Sequence, residues 1–146
     1  MKLDKLIIFC DGGAANNPGP AAAGVVFYNS NGKKLLQISK YLSLQTNNHA
    51  EYQAVILALK TAQLKFDPEV IEFYLDSQLV VEQLSGNYKV KNQGLKPLHL
   101  EVKKLQLNFP LVFYHHITRE KNQLADRLVK NEIKKNIKKG DNYGKL

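Results

Sequence analysis

Short apolar runs separated by turn-forming residues occupy the first forty positions of the chain. Residues 6–10 form an apolar run that stops at Asp11, residues 24–28 form a second run, and residues 34–41 form a third. Apolar runs of this length between glycine, proline and asparagine are typical of β-strands. Because Asn31-Gly32 is a favoured dipeptide of two-residue hairpin turns, the pattern predicts three sequential strands paired as an antiparallel meander.

The apolar period lengthens to 3.6 residues after position 46, which predicts an α-helix. Asn47 or Asn48 is suited to cap its start. The predicted helix carries one inward stripe, which consists of Glu51, Ala54, Val55, Ala58, Leu59 and Ala62. A solubilising glutamate belongs on the opposite, polar face of such a helix. We therefore expect Glu51 to point toward the sheet.

Strands and helices alternate over the second half of the chain. The pattern predicts strands at residues 70–75 and 111–117 and helices at 78–84, at about 95–105 and after Asn122, with Ser77 and Asn122 as N-caps. Strands joined through helices pair in parallel. The predicted fold is an α/β domain with a mixed five-stranded sheet, three antiparallel strands followed by parallel additions, flanked by helices. The domain is expected to span residues 1–140, followed by a polar tail at 141–146.

The composition is that of one globular domain with an excess of positive charge. The chain has 146 residues and a formal net charge of +8, which favours polyanionic partners such as nucleic acid. All basic residues except Arg119 and Arg127 are lysines, a bias that an A/T-rich genome also produces. The single cysteine, Cys10, indicates a reducing compartment, and no apolar segment predicts secretion or membrane insertion. We expect a cytoplasmic monomer without membrane association.

Four acidic residues lie where predicted elements begin or end. Asp11 closes the first strand, Glu51 lies on the apolar stripe of its helix, Asp76 directly follows a buried strand, and Asp126 lies in the first turn of the last helix. Ligand sites of open α/β sheets lie beyond such strand ends. Each acid also has a structural alternative: a turn or a cap for Asp11 and Asp76, and a favourable helix dipole for Glu51 and Asp126.

Four carboxylates at one end of a sheet require a compensating cation. Two of them ~4 Å apart repel by ~4 kcal/mol at an effective dielectric constant of ~20. No cysteine and histidine spacing predicts a zinc site, whereas hard divalent ions such as Mg²⁺ prefer oxygen ligands. In a basic protein, this site indicates two-metal phosphodiester cleavage.

The sequence resembles the type 1 ribonuclease H family in four separate motifs. These motifs lie in the family's order at residues 9–13 with 17–19, at 46–52, at 75–78, and at 119–122 with 125–126. The resemblance implies a ribonuclease H fold and endonucleolytic cleavage of the RNA strand of RNA/DNA hybrids, leaving 5′-phosphate and 3′-hydroxyl ends. It also implies that two Mg²⁺ ions, or Mn²⁺, are held by the family's four metal-binding acids, which match Asp11, Glu51, Asp76 and Asp126.

The chain departs from the best-studied bacterial branch of this family and is similar to its archaeal-type members. It has no tryptophan, and only ten residues separate Leu84 from Leu95, so the Trp-containing basic handle of that branch is missing. The compact loop before Asp126 is similar to that of members that also accept double-stranded RNA. In these members an arginine near this place assists catalysis, which favours Arg119 over His116. The alternative for Arg119 is an ion pair with Glu120.

Further residues are candidates for substrate binding. The groups around Gly12, Gly13, Asn16 and Asn17 and the Asn48 amide suit the RNA 2′-hydroxyl, although turns and helix caps use the same residue types. Lys89 and Lys91 suit phosphates of the DNA strand, or belong to a solvated loop. The lysines of the last helix, Lys130, Lys134, Lys135, Lys138 and Lys139, are predicted to form a solvated helix end.

Two other functions are compatible with the sequence. The first is a catalytically weak nucleic-acid-binding module of the same fold. The second is an unrelated α/β domain in which the four acids coincide by chance, and it predicts neither Mg²⁺ dependence nor salt-sensitive binding of polyanions.

Overall fold

The computed structural model describes residues 3–137, so the tail predicted at 141–146 lies outside the described residues. The elements in chain order are β1 (Lys5–Ala14), β2 (Gly19–Asn29), β3 (Lys34–Gln45), α1 (Asn47–Lys65), β4 (Val70–Leu75), α2 (Gln78–Leu84), α3 (Lys96–Gln106), β5 (Leu111–His116), a 3₁₀-helix (Arg119–Asn122) and α4 (Gln123–Asn136). Within the described range, no helix has the length and apolar character needed to cross a lipid bilayer.

The five strands form one mixed sheet in the spatial order β3-β2-β1-β4-β5. β2 pairs antiparallel with both β1 and β3, whereas β4 lies parallel to β1 and β5 parallel to β4. The predicted mixed sheet is therefore confirmed. Cys10 of β1 lies opposite Leu75 of β4. Because Asp11 and Asp76 directly follow these two residues, the parallel pairing brings the two acids side by side.

Helices cover the sheet on both faces. The face against α1 buries Leu6, Ile8 and Cys10 completely, and α3 packs against α1. A helix held between two layers is apolar almost all round, which explains why α1 also buries residues outside the predicted stripe. α4 crosses the opposite face, where Val129 and Ile133 pack against Ala22 of β2.

Two turns differ from the prediction. β1 does not stop at Asp11 but continues to Ala14, because its pairing with β2 extends to Ala14 opposite Ala21. The connection between β2 and β3 has four residues, 30–33, rather than two. The Asn29 side chain accepts hydrogen bonds from the amides of Asn31 and Lys33 and so stabilises the longer loop.

The predicted N-cap positions are confirmed for α2 and α4 but not for α1. Ser77 caps α2 by accepting a hydrogen bond from the Val80 amide. α1 is capped by Thr46, whose Oγ1 accepts from the His49 amide, rather than by Asn47 or Asn48. Asn122 occupies the N-cap position of α4 but makes no side-chain cap hydrogen bond. Its Nδ2 group donates to Cys10 and Asp76, and in this orientation its Oδ1 is buried without a hydrogen-bond partner among the described residues.

Candidate active site and metal centre

Gly12 brings the start of α1 into direct contact with β1. A β-carbon at this position would lie 2.2 Å from the carbonyl of Ala50, so only glycine allows the helix and strand to approach this closely. The approach lets the Gly12 amide donate a hydrogen bond of 2.9 Å to Glu51 Oε1. Glu51 therefore points inward toward β1, the central strand of the sheet, as its place in the apolar stripe predicts.

Three carboxylates converge beside this contact. One oxygen from each of Asp11, Glu51 and Asp76 lies within 4.8 Å of the other two. Asp11 is 7% exposed and Glu51 is 4% exposed. Glu51 Oε2 is buried and has no hydrogen-bond partner within the described part of the chain. An all-oxygen set with an unsatisfied buried oxygen fits a hard divalent cation.

Burial shifts the protonation of this cluster strongly. The pKa of Asp11 is raised to about 7, mainly through loss of hydration on burial and in addition through the charges of Asp76 and Asp126, while the interaction with Glu51 lowers it. Burial and the Asp11 charge raise the pKa of Glu51 well above its usual range. Near neutral pH the cluster therefore needs either protons or a cation to offset its charge.

Asp126 completes the group from the opposite face of the sheet. Gly24 of β2 permits this placement, because a β-carbon there would lie 2.6 Å from the Ala125 carbonyl oxygen of α4. Asp126 lies outside the tight set of three carboxylates but lines the same cavity. Its Oδ2 is 3.1 Å from Lys130 Nζ one turn along α4. Lys130 therefore lines the acid cavity, and its side chain is also 48% exposed, which agrees with its prediction as a solvated residue of α4.

Asn122 is a site residue that the sequence patterns did not reveal. Its side chain is 1% exposed. The Nδ2 group donates hydrogen bonds of 2.7 Å to the Cys10 carbonyl and 3.1 Å to Asp76 Oδ2. Asn122 therefore joins the ends of β1 and β4 to the start of α4 and orients Asp76. Asn122 belongs to the fourth motif shared with the ribonuclease H family, but its position four residues before Asp126 fits an N-cap equally well, so the motif did not assign it a role in the site.

The acids line a cavity of about 390 Å³. Arg119 is the second positively charged residue in this cavity besides Lys130. The remaining lining residues include three of the predicted substrate-binding residues, and the full set is Asp11, Gly12, Gly13, Ala14, Asn47, Asn48, Glu51, Asp76, Ser77, Arg119, Asp126, Val129 and Lys130. The structure therefore brings together the four acids, Arg119, Gly12, Gly13 and Asn48.

The other candidates lie beside the cavity or away from it. Asn16 and Asn17 are exposed, and Asn17 Oδ1 accepts a 2.9 Å hydrogen bond from the Asn47 amide, which ties their loop to the start of α1. His116 is exposed at the end of β5 and does not line the cavity. Lys89 lines a separate groove beside α3, and Lys91 is exposed near it.

His115 packs against its neighbours on the sheet. Its ring stacks on Tyr74 with 4.9 Å between the centroids, and its Nε2 lies 3.0 Å from Glu72 Oε1. Of the two histidines that end β5, only His116 is therefore left as a candidate to assist catalysis.

The acid cluster lies where the pairing of β1 with β4 ends, in a mixed five-stranded sheet. This combination of fold and site is that of ribonuclease H-like proteins. A family model described as reverse transcriptase-like matches residues 9–132. The structure of LC11-RNase H1 in complex with an RNA/DNA hybrid superimposes with a TM-score of 0.86 at 41% identity, covering 89% of this chain and 97% of that one. The structure of RNase H1 from the halophilic archaeon Halobacterium salinarum gives a TM-score of 0.84 at 34% identity, with 91% and 99% covered.

The chain belongs to the ribonuclease H family, as its motifs indicate. A bifunctional protein of Mycobacterium tuberculosis is 38% identical over 85% of this chain. The chain spans only 34% of the length of that relative.

Proposed function

We propose that the protein hydrolyses the RNA strand of RNA/DNA hybrids with the help of divalent metal ions, leaving 5′-phosphate and 3′-hydroxyl ends. The observation that carries this proposal is the convergence of Asp11, Glu51 and Asp76 within 4.8 Å, with one buried carboxylate oxygen unsatisfied. The similarity to LC11-RNase H1, whose structure holds an RNA/DNA hybrid, supports the choice of substrate.

Two Mg²⁺ ions are the proposed cofactors, with Mn²⁺ as a substitute. When bound, such ions activate a water nucleophile and stabilise the charge that develops on the departing 3′ oxygen. The residues that would hold them are Asp11, Glu51, Asp76 and Asp126. The raised pKa of Asp11 supports this, because a cation that replaces the proton removes the charge repulsion within the cluster.

The surrounding residues orient the acids and the substrate. The Gly12 amide and Asn122 fix the carboxylates of Glu51 and Asp76 through hydrogen bonds. Arg119 supplies a fixed positive fork that suits the scissile phosphate and the charge that develops on it. Backbone groups of Gly12 and Gly13 and the Asn48 side chain line the same cavity, where they suit the RNA 2′-hydroxyl.

The proposed enzyme acts as a monomer. All the residues proposed to hold the ions or contact the phosphate come from one chain and line one cavity. Double-stranded RNA is proposed as a second, weaker substrate, because the connection from β5 to α4 at residues 117–122 is compact, as in the ribonuclease H members that also accept double-stranded RNA.

One cleavage assay tests the proposal. Matched RNA/DNA, RNA/RNA and DNA/DNA duplexes of one sequence are incubated with the protein in Mg²⁺, in Mn²⁺ or in EDTA. The proposal expects cleavage of the RNA strand of the hybrid, slower cleavage of RNA/RNA, and none of DNA/DNA or in EDTA. Hybrid binding without cleavage in either metal would instead identify a nucleic-acid-binding module.

A further inference from the structure

A second groove runs along the outer face of α4. It has a volume of about 500 Å³ and is continuous with the acid cavity, because Arg119, Asp126 and Lys130 line both. The complete lining is Arg119, Glu120, Gln123, Asp126, Arg127, Lys130, Asn131 and Lys134. Both arginines of the chain therefore lie in this groove.

Positive charges outnumber negative charges among the residues that line the groove. Lys130 is paired with Asp126, which leaves Arg119, Arg127 and Lys134 beside Glu120 alone. Arg127 and Lys134 are exposed on α4, away from the buried Val129 and Ile133. Neither has an ion-pair partner among residues 3–137. A solvated helix face would typically intersperse acids among its bases, so this strip attracts anions.

The spacing of the charges suits a chain of phosphates. Arg127 and Lys134 are seven residues apart on one helix, or ~10 Å along its axis, so a single phosphate does not satisfy both. Arginine binds phosphate in a bidentate geometry, whereas lysine acts as a point charge. A strand with its scissile phosphate at the acids would place its neighbouring phosphates next to this strip.

We infer that the α4 groove, through Arg127 and Lys134, binds the phosphates of the RNA strand on one side of the cleavage point. The inference rests on the proposed function, because it takes the scissile phosphate to lie at the acid cluster. The RNA strand is favoured over its DNA partner because the groove continues directly from the cavity in which the RNA is cut.

Binding measurements compare two double variants in an Asp11→Asn background, which prevents cleavage. Arg127→Ala/Lys134→Ala removes the groove charges. Lys33→Ala/Lys65→Ala is the control and removes two exposed charges outside the groove. Lys33 lies in the connection between β2 and β3, and Lys65 lies fourteen residues after Glu51 in α1, or ~20 Å along the helix axis. The inference expects the groove variant to bind a hybrid about 10-fold more weakly or worse. Its slope of log K against log[salt] should fall by about 2, as for two lost phosphate contacts.

Replacing single phosphates by uncharged groups then shows which strand of the hybrid contacts the groove. Single phosphates on either side of one cleavage position are replaced by uncharged methylphosphonates, first in the RNA strand and then in the DNA strand. We expect one to three RNA positions on one side of the cut to lose affinity, and that loss should disappear in Arg127→Ala/Lys134→Ala. Sensitive positions found only in the DNA strand would overturn the inference.

The inference and the proposed function fail in different ways. If the groove variant matches the Lys33→Ala/Lys65→Ala control while the wild-type protein cleaves the hybrid, only the inference is wrong. If the wild-type protein leaves the hybrid intact in both metals, the proposed function is wrong. Thermal melting of both double variants checks that they are folded, which is expected because all four side chains are exposed.

Discussion

Asn122 donates a 3.1 Å hydrogen bond from its Nδ2 to Asp76 Oδ2, while the same Nδ2 donates to the Cys10 carbonyl. Cys10 ends the pairing of β1 with β4, Asp76 directly follows β4, and Asn122 directly precedes α4. The hydrogen bonds therefore couple the position of the last helix to the orientation of a carboxylate on β4.

We predict that Asn122→Ala raises the metal concentration needed for half-maximal cleavage by about 10- to 100-fold, the range seen when a residue that orients a metal ligand is lost. The reason is that Asp76 loses its orienting donor. Cleavage rates measured across a Mg²⁺ titration check this. Asn108→Ala, at an exposed position after α3, is the control, and an unchanged metal requirement in Asn122→Ala would contradict the prediction.

The stability of the metal-free protein should depend on Asp11. Its folded-state pKa of about 7 lies above the unfolded value, so its contribution is fully present below about pH 4 and is lost as pH rises through about 7. We therefore predict that Asp11→Asn unfolds at a higher temperature than wild type at pH 8 in EDTA, with a gain in the free energy of unfolding of up to about 4 kcal/mol, the upper bound set by the rise of the Asp11 pKa from about 4 in the unfolded chain to about 7 in the folded protein.

Thermal melts from pH 4 to pH 8 measure this difference. The gap between Asp11→Asn and wild type should widen as pH rises and close again when Mg²⁺ is added, because the cation stabilises wild type alone. Asp4→Asn, at an exposed position, should show neither change. A gap that is constant with pH would contradict the cause assigned here.

Lys130 should compete with a metal ion for Asp126. Because its ammonium lies 3.1 Å from Asp126 Oδ2, we predict that Lys130→Ala binds Mg²⁺ about two- to fivefold more tightly in the absence of nucleic acid, the scale of a partly exposed ion pair. Calorimetric titration measures the affinity. Lys135→Ala, which removes a lysine 3.5 Å from Glu132 on the same helix, is the matched control. Weaker Mg²⁺ binding by Lys130→Ala would be the opposite of the predicted result.

Arg119 rather than His116 should assist the chemical step. Arg119 lines the acid cavity and His116 does not, so we predict that Arg119→Ala lowers kcat by ~10²-fold, the scale of one lost electrostatic donor. His116→Ala should have a much smaller effect. Single-turnover rates on one hybrid measure both variants. The assignment to Arg119 is wrong if His116→Ala is the slower enzyme and its pH–rate profile loses a limb.

The acids could be predicted from sequence because each is positioned by a regular element. Strand pairing places Asp11 beside Asp76, and the helical period turns Glu51 inward. The same patterns could not assign Asn122, whose partner Cys10 lies 112 positions earlier in the chain. Lys130 follows Asp126 by one helical turn, but its place in the cavity depends on how α4 is rotated against the sheet.

The sequence patterns also could not predict which of several similar residues caps α1, or that Gly12-Gly13 lies within a strand. Thr46, Asn47 and Asn48 are all good N-cap residues, and tertiary contacts decide among them, since the Asn47 side chain accepts a hydrogen bond from the Ala14 amide. Gly12-Gly13 is typical of a turn but lies within β1, because the close contact with α1 needs glycine inside a strand.

The most direct test of the central proposal is cleavage of one end-labelled RNA/DNA hybrid by wild type and Asp11→Asn side by side in Mg²⁺. We predict that wild type cuts the RNA strand internally and leaves 3′-hydroxyl ends that a polymerase extends, while Asp11→Asn is far more than tenfold slower, because it lacks a carboxylate that would hold the metal ions. An intact hybrid after incubation with wild type, or an Asp11→Asn rate within about tenfold of wild type, would contradict the assignment of this acid cluster as the catalytic metal centre.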